Sequence, residues 1–209
     1  YGGRIEMAKG VLLIISGPSG SGKGTIVEQL VSELGYCVSI SATTRNPRPN
    51  EKDGIHYFFK TKEEFEKMID NGELLEHAAF CGNYYGTPKK YVEEQLESGK
   101  NIILEIEVQG ALQVKKKYND AVLIFTMPPT LTELRRRLEF RGTETKEVID
   151  ARINRAEEEL EFLPDYDYIV INDTVDEAVK DVDCIVKAER MKCSRNPELK
   201  NKFKGVVNK

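Results

Sequence analysis

A glycine-rich loop at residues 17–25, Gly17-Pro-Ser-Gly-Ser-Gly-Lys-Gly-Thr25, carries the clearest chemical signal in the sequence. It follows an apolar, strand-like run at residues 11–16 and opens a helix-like run at residues 25–34. Glycines let the backbone wrap around an anion, and the helix that follows adds the positive end of its dipole. Lys23 supplies a mobile positive charge for β- and γ-phosphates. The pattern predicts a nucleoside triphosphate site, and the alternative is a glycine-rich turn with a surface lysine.

The residue after Lys23 is Gly24, at the position where a phosphate loop usually has the Ser or Thr that holds Mg²⁺. Thr25 comes next. This Gly-Lys-Gly-Thr form resembles the loop of nucleoside monophosphate kinases such as adenylate kinase. We therefore expect Mg²⁺ to sit mostly on nucleotide oxygens and water molecules, as it often does.

The sequence contains a second cluster of polar and basic residues, which an enzyme that only hydrolyses a nucleoside triphosphate would not need. Arg45 and Arg48 lie three residues apart in a loop that Pro47 stiffens, and the arginine fork suits phosphate better than lysine does. Further along are Tyr57, Glu76 and the Asn83-Tyr-Tyr-Gly-Thr87 segment. Each alone is weak evidence, because tyrosine pairs usually pack and a lone glutamate is usually solvated.

Together these residues resemble the guanylate kinase family, in order and over residues 11–190. The resemblance is carried by the phosphate loop and by five further motifs: Ser41-Ala-Thr-Thr-Arg-Asn-Pro-Arg48, Gly54-Ile-His-Tyr-Phe-Phe59, Gly82-Asn-Tyr-Tyr-Gly86, Val108-Gln-Gly-Ala111 and Arg141-Gly-Thr-Glu-Thr145. It implies an enzyme that transfers a phosphoryl group from ATP to GMP, with Mg²⁺ bound alongside ATP.

The resemblance also implies roles for individual residues. The phosphate of GMP would be held by Arg45, Arg48, Tyr57 and Tyr85, and the base would be read by Ser41, Glu76 and Thr87. Glu107 would lie at the GMP site, and Thr25 and Glu105 would lie near Mg²⁺ and its water shell. The family usually carries aspartate at both 105 and 107, so these glutamates keep the charge and reach one methylene further. The implied ATP ligands are Gly17, Pro18, Ser19, Gly20, Ser21, Gly22, Lys23, Gly24, Thr25 and Asn172.

A basic segment completes the predicted site. Arg137 and Arg141 are four residues apart on one helical face, and Arg152 follows on the next predicted helix. Taken alone, the segment would be read as a solvated basic helix face. The resemblance instead implies that these three arginines, with Lys23, act on the phosphates from a mobile lid.

The order of elements predicts how these groups are positioned. Strand and helix signals alternate, which favours an α/β fold with a mainly parallel core sheet. We expect one domain at residues 7–190 with a core, an inserted GMP-binding subdomain of mixed α+β structure, and a helical lid. Their predicted ranges are 11–38, 96–126 and 163–190 for the core, 39–95 for the subdomain and 127–162 for the lid.

Both ends of the chain are expected to lie outside that domain. Residues 1–6 precede Met7 and are interpreted as a remnant foreign to the natural protein. Residues 191–209 form a basic tail that we expect to be frayed and solvated. Residues 41–53 are predicted as a loop, a turn is predicted at Gly82-Asn83, and a helix is predicted to open at Thr87-Pro88. The capping box at residues 61–64 predicts the start of another helix, and residues 74–80 and 131–140 are predicted as a strand and a helix.

Composition excludes several functional classes. The 209 residues carry 31 Lys+Arg against 35 Asp+Glu, a net charge of −4, which excludes a globally basic surface for nucleic acid. No apolar run approaches the roughly 20 residues of a membrane helix. Four scattered cysteines without a CxxC pair indicate free thiols and a cytoplasmic protein. We expect small-molecule partners only, and a monomer or homodimer.

Two other functions stay open on the sequence. One is a catalytically silent interaction module, like the guanylate-kinase-like domains of membrane scaffold proteins. Such domains tend to lack intact ATP-site residues, whereas Lys23 and the lid arginines are present in this chain. The other is a kinase for a different monophosphate, or for dGMP as well as GMP, since no residue is predicted to sense the 2′-hydroxyl group.

Overall fold

The computed structural model describes residues 9–80, 82–140, 142 and 144–205, in which strands and helices alternate. The strands are Leu12–Ser16 (β1), Cys37–Val38 (β2), Ala42–Thr43 (β3), Phe58–Phe59 (β4), Leu74–Phe80 (β5), Asn83–Pro88 (β6), Ile102–Glu105 (β7), Val122–Met127 (β8) and Tyr168–Ile171 (β9). The helices are Lys23–Leu34 (α1), Lys62–Asp70 (α2), Lys89–Glu97 (α3), Val108–Lys117 (α4), Leu131–Phe140 (α5), Lys146–Leu160 (α6), Val175–Met191 (α7) and Leu199–Gly205 (α8).

Five of the strands form a parallel sheet in the order β2-β7-β1-β8-β9. Its central strand, β1, is buried at all five residues. Parallel strands of one sheet need crossover connections, which α1 supplies between β1 and β2 and α4 between β7 and β8. Each of these two connections passes over one intervening strand of the sheet. The α/β class with a parallel core, predicted from the alternation of elements, is confirmed.

Both faces of this sheet are covered. Leu13 and Ile15 of β1 pack in an apolar cluster with helices α1 and α7, whereas Leu12 and Ile14 pack on the opposite face with α3 and α4. The sheet is therefore a rigid base for the loops that leave the carboxyl ends of its strands.

A second sheet of four strands, in the order β4-β3-β6-β5, follows β2 in the chain. Strand β6 is antiparallel to both β3 and β5, and β3 is parallel to β4. Helix α2 begins at a capping box between Thr61 and Glu64, as its sequence predicts, and buries Phe65 against Ala42 and Leu74. This small sheet has its own apolar core and carries most of the predicted GMP-binding residues.

The structure adds two strands that the sequence did not predict. Residues 83–88, predicted only as a turn and a helix start, form β6, and helix α3 begins after Pro88 as its N-cap. The predicted loop at 41–53 includes β3, which pairs with β4 and β6. Both segments become strands because of partners elsewhere in the chain, which local sequence does not reveal.

Helices α5 and α6 pack on each other through an apolar cluster of their own. It contains Leu134 and Leu138 of α5 with Ile149, Ile153 and Ala156 of α6. A further apolar cluster joins the pair to the core, because Leu131 of α5 and Leu160 of α6 pack with Phe125 and Met127 of β8. The two helices therefore form a pair that is joined to the core at the start of α5 and the end of α6. Arg141, between the two helices, lies outside the described residues.

The expectation of a frayed tail after residue 191 was wrong for the part that the structure describes. The carboxylate of Glu189, only 2% exposed, accepts hydrogen bonds from Tyr168 Oη at 2.7 Å, Lys192 Nζ at 2.6 Å and Arg195 Nε at 3.2 Å. The side chain of Asn196 is buried against the end of α7. These contacts hold the first residues of the tail on the core.

Replacing Glu189 with alanine is expected to lower the free energy of unfolding by about 2 kcal/mol, because its donors lose a shared buried acceptor. Burial raises the pKa of the Glu189 carboxyl, but its bonds to Lys192 and Tyr168 outweigh burial and hold that pKa below its ordinary value. The stabilisation is therefore present at neutral pH and is lost as pH falls through the lowered pKa.

Urea unfolding of the wild type and the variant, at pH 7 and in increasingly acidic buffers, measures this difference. Asp181→Ala is the control, because Asp181 is an exposed acid on the same helix. Equal losses of stability in the two variants would contradict the role of Glu189.

Candidate active site

The glycine-rich loop connects the end of β1 to α1, which begins at Lys23. Gly17 and Gly22 have φ values of 139° and 89°, and both approach other elements closely. A Cβ at Gly17 would lie 2.2 Å from the carbonyl oxygen of Thr126, and one at Gly22 would lie 2.2 Å from Asn172 Nδ2. The N-cap of α1 makes no side-chain hydrogen bond, so its first N–H groups are not capped by a side chain. This geometry suits an anion at the start of α1.

Lys23 and Asn172 both contact the loop. Lys23 Nζ donates to the carbonyl oxygens of Gly17 and Pro18, so its charge lies over the loop. Asn172 follows β9, is 2% exposed, and donates from Nδ2 to the Ser21 carbonyl oxygen at 2.8 Å. Sequence analysis predicted a contact of Asn172 with ATP, and in the structure its side chain braces the phosphate loop.

The helical pair α5–α6 brings Arg152 to this loop and Arg137 to Asn172 beside it. Arg152 on α6 donates to Ser19 Oγ and to a Glu144 carboxylate oxygen. Arg137 on α5 donates to the Asn172 carbonyl oxygen at 2.9 Å and to Glu133 at 2.8 Å. The guanidinium groups of Arg136 and Arg137 hold the pKa of Glu133 at about 2, well below its ordinary value. The predicted third arginine, Arg141, lies outside the described residues.

The predicted phosphate grip is assembled around Arg45 at one end of the small sheet. Its guanidinium carbon lies 5.4 Å from the centre of the Tyr57 ring, and that ring lies 6.3 Å from the ring of Tyr85. Arg45 Nη2 is 2.9 Å from both carboxylate oxygens of Glu51, which also accepts from the backbone N–H of Arg48 at 2.8 Å. Glu51 was not predicted from the sequence. Its position three residues after Arg48 in the same loop could have indicated that it pairs with the arginines.

A buried carboxylate forms the centre of the predicted base-reading site. Glu76 on β5 is 6% exposed, and Thr87 Oγ1 on β6 donates to its Oε1 at 2.7 Å. Burial raises the pKa of Glu76, while the Thr87 hydroxyl and the charge of Lys117 oppose that rise. Ser41 precedes β3, whose Ala42 pairs with Gly86, so Ser41 lies beside Thr87 in the sheet. The structure therefore brings these three residues together, and their reading of a base stays a prediction.

Two further acids lie at the end of β7 and at the start of α4. Glu105 ends β7 opposite Ile15 of β1, next to the loop, and Glu107 is the N-cap of α4. Arg155 on α6 donates to Glu107 at 2.8 Å and to Glu159 at 3.1 Å. Glu159 is 8% exposed, and burial raises its pKa. The contact between Arg155 and Glu107 was not predicted, because the two residues lie 48 positions apart in the chain.

The oxygen donors of the protein near the loop could supply only some of the ligands of a Mg²⁺ ion. Thr25 is exposed in the first turn of α1, and Glu105 is exposed at the end of β7. Their hydroxyl and carboxylate oxygens are the hard donors that Mg²⁺ prefers. Among the described residues, no group of three or more His, Cys, Asp or Glu side chains could hold a metal ion. These residues suit an ion carried mainly by nucleotide oxygens and water.

Comparison with known proteins decides the family. The sequence model of the family described as guanylate kinase matches residues 9–189. The chain belongs to the guanylate kinase family. A guanylate kinase from Desulfitobacterium hafniense is 48% identical over 97% of this chain and 100% of its own length. One from Halalkalibacterium halodurans is 54% identical over 91% of this chain and 94% of its own.

A solved structure agrees with this family. The crystal structure of guanylate kinase from Anaplasma phagocytophilum has a TM-score of 0.70 and 34% identity, with 94% of each chain covered. The resemblance predicted from the motifs is therefore confirmed, as is the assignment of the protein as an enzyme of the guanylate kinase family.

One cavity of the protein lies away from the predicted site. This cavity has a volume of about 380 Å³ and opens at the amino-terminal end of β1; its lining includes Leu12, Tyr118 and Asn196. The phosphate loop lies at the other end of β1. Of the helices that the structure describes, none has the length and apolar character to cross a membrane.

Proposed function

We propose that this protein transfers the γ-phosphoryl group of ATP to GMP, with dGMP also accepted, by in-line transfer after closure of the α5–α6 pair over the phosphates. Membership of the guanylate kinase family supports the two substrates. The observation that carries the choice of acceptor is the buried Glu76 carboxylate, which Thr87 holds in the small sheet whose strand β3 leads into the Arg45 loop.

Guanine is the base that suits this carboxylate. Its N1–H and N2–H₂ groups are donors that one ionised carboxylate can accept together, and a hydroxyl such as that of Ser41 can donate to O6. The Thr87 hydroxyl instead donates its one proton to Glu76 and holds the carboxylate. Adenine presents a lone pair at N1 and would leave Glu76 facing it. Because Glu76 is buried, that mismatch leaves an unpaired buried charge, which costs about 2 kcal/mol or more.

The chemical step needs positioning and charge stabilisation more than covalent help. The acceptor phosphate is largely ionised near pH 7, because its second pKa lies near ~6, so no general base is required. Lys23, Arg137, Arg141 and Arg152 would neutralise the transferring group. The contacts of Lys23 and Arg152 at the loop, and of Arg137 at Asn172 beside it, support this role. Bound Mg²⁺ near Thr25 and Glu105 would add a Lewis acid on the phosphate oxygens.

Closure of the α5–α6 pair would exclude water and suppress hydrolysis of ATP. The apolar cluster that the two helices share supports their movement as a unit. The pair meets the loop through Arg152, which donates to Ser19 Oγ, and through Leu138, whose Cδ2 would lie 2.9 Å from a Cβ at Gly20. We further propose a cytoplasmic enzyme of purine nucleotide salvage and GMP recycling. The unpaired state of Cys37, Cys184 and Cys193 supports a reducing compartment.

A coupled assay of ADP release from ATP with GMP, dGMP, AMP, UMP or no acceptor tests the proposal. We expect turnover with GMP and dGMP and only slow release with the other acceptors or with none. Absence of GMP-dependent turnover would refute the kinase, and a preference for AMP would refute the role of Glu76.

Glu51→Gln is expected to raise the KM for GMP about fivefold and leave the KM for ATP unchanged, because Arg45 and the Arg48 backbone lose a charged common acceptor. Initial rates at varied GMP measure this effect. Glu66→Gln is the control, since Glu66 is a half-exposed acid on α2 with only a 3.9 Å pair to Lys62. An unchanged KM for GMP in Glu51→Gln would show that the carboxylate does not position the arginines.

A further inference from the structure

Gly110 is a glycine that its own backbone does not require. It is buried near the start of α4, inside the helix, and its φ is not in the positive region that favours glycine. Glycine within a helix is destabilising relative to alanine, because it loses more backbone freedom on folding. The reason for glycine at this position must therefore lie in what surrounds its missing side chain.

The missing side chain faces the carboxylate of Glu76. A Cβ at Gly110 would lie 3.2 Å from Glu76 Oε2 and 3.3 Å from Ile106 Cδ1, which is closer than ordinary van der Waals contact. The carboxylate has little room to withdraw, because Glu76 is 6% exposed and its other oxygen, Oε1, accepts the 2.7 Å bond from Thr87. A methyl group at this position would press on Oε2 or displace Ile106.

The same turn of α4 begins at the second acid of the predicted GMP site. Glu107 is the N-cap, and its carbonyl oxygen accepts from the N–H of Ala111, so Gly110 lies within the first turn. Helix α4 thus presents a residue without a side chain to Glu76 Oε2. This is the carboxylate oxygen that does not accept the hydrogen bond from the Thr87 hydroxyl.

We propose that Gly110 is a specificity-determining residue for guanine, because its bare backbone leaves Oε2 of Glu76 in place and accessible to the N–H donors of the base. This inference rests on the proposed function, in which GMP is the acceptor. Gly110 acts through Glu76, so it is a positioning residue and takes no part in the transfer itself.

Gly110→Ala tests this proposal through binding as well as turnover. We expect the calorimetric Kd for GMP to rise about tenfold, the scale of an overpacked contact, with the Kd for ATP unchanged. The KM for GMP should rise while kcat at saturating GMP changes little, and the melting temperature should be kept. Lys116→Ala is the control, because Lys116 is exposed on the same helix and its replacement should change none of these values.

A double-mutant cycle with Glu76→Asp separates this role from simple packing. Aspartate is shorter by one methylene, so its carboxylate would withdraw from a Cβ at position 110. We expect Glu76→Asp to cost several-fold less in GMP affinity when position 110 is alanine than when it is glycine, since the two residues share one contact. Additive losses, an unchanged Kd for GMP in Gly110→Ala, or equal losses for GMP and ATP would overturn the inference. A wild type that binds AMP as well as GMP would instead refute the proposed function.

Discussion

Replacement of Lys23 with methionine is expected to lower kcat for transfer from ATP to GMP by about a thousandfold. Methionine keeps most of the length of the lysine side chain and removes its charge and donors. In the structure Lys23 Nζ already lies over the loop, bonded to the carbonyl oxygens of Gly17 and Pro18. When a phosphate binds at the start of α1, we expect the Lys23 ammonium group to pair with it. In the variant the transferring phosphoryl group would lose this positive charge.

The affinity for ATP should fall much less than kcat, because the N–H groups at the start of α1 are backbone groups and remain in the variant. Stopped assays at saturating substrates give kcat, and calorimetry gives the Kd for ATP. Lys180→Met is the control, since Lys180 is an exposed lysine on α7. A Lys23→Met enzyme that keeps kcat within about fivefold of the wild type would contradict the proposed role.

Local sequence signals predicted those elements of the fold that have their own start and stop signals. The capping box at Thr61 placed α2, and the strand at Leu74–Phe80 and the helix at Leu131–Phe140 have their predicted bounds. Strand β6 was missed, since its residues become a strand only between β3 and β5. The packed start of the tail was missed for the same reason, because Arg195 and Lys192 meet Glu189 only once α7 has formed.

The residues of the candidate site likewise fall into those that the sequence predicted and those that it did not. Residues within one short motif, such as the phosphate loop or the Arg45–Arg48 pair, could be assigned from the sequence because the motif itself is the site. Glu51, Arg155 and Gly110 were not assigned, since each acts on a side chain of another segment or turn. The functional roles of the site residues remain predictions that the variants described here test.

Glu76→Gln is expected to lower kcat/KM for GMP by about a hundredfold and to leave the much lower value for AMP unchanged or raised. The amide keeps the shape and one acceptor, and its oxygen can still accept from Thr87. Its NH₂ group would then face the N–H donors of guanine, so one favourable bond becomes a contact between two donors. Discrimination between GMP and AMP should collapse while the affinity for ATP is kept.

Folding stability should move in the opposite direction from activity. Burial raises the pKa of the Glu76 carboxyl, so the folded protein binds its proton more tightly than the unfolded chain does. The wild type therefore gains stability as pH falls, and at neutral pH its ionised carboxylate is a cost that glutamine removes. We expect Glu76→Gln to be as stable as the wild type at pH 7, or more stable, as measured by urea unfolding.

The pH dependence of GMP binding gives an independent check on the same residue. Protonation of Glu76 removes an acceptor, so the wild-type KM for GMP should rise as pH falls through the raised pKa, at a higher pH than for an exposed glutamate. The Gln variant should lack this dependence, whereas the surface variant Glu66→Gln should retain it. If the Gln variant kept both its GMP turnover and its preference for GMP over AMP, Glu76 would not be the group that reads the base. If it lost activity together with stability, the residue would be structural, because a carboxylate retained for recognition is a burden to the fold and its removal cannot unfold the protein.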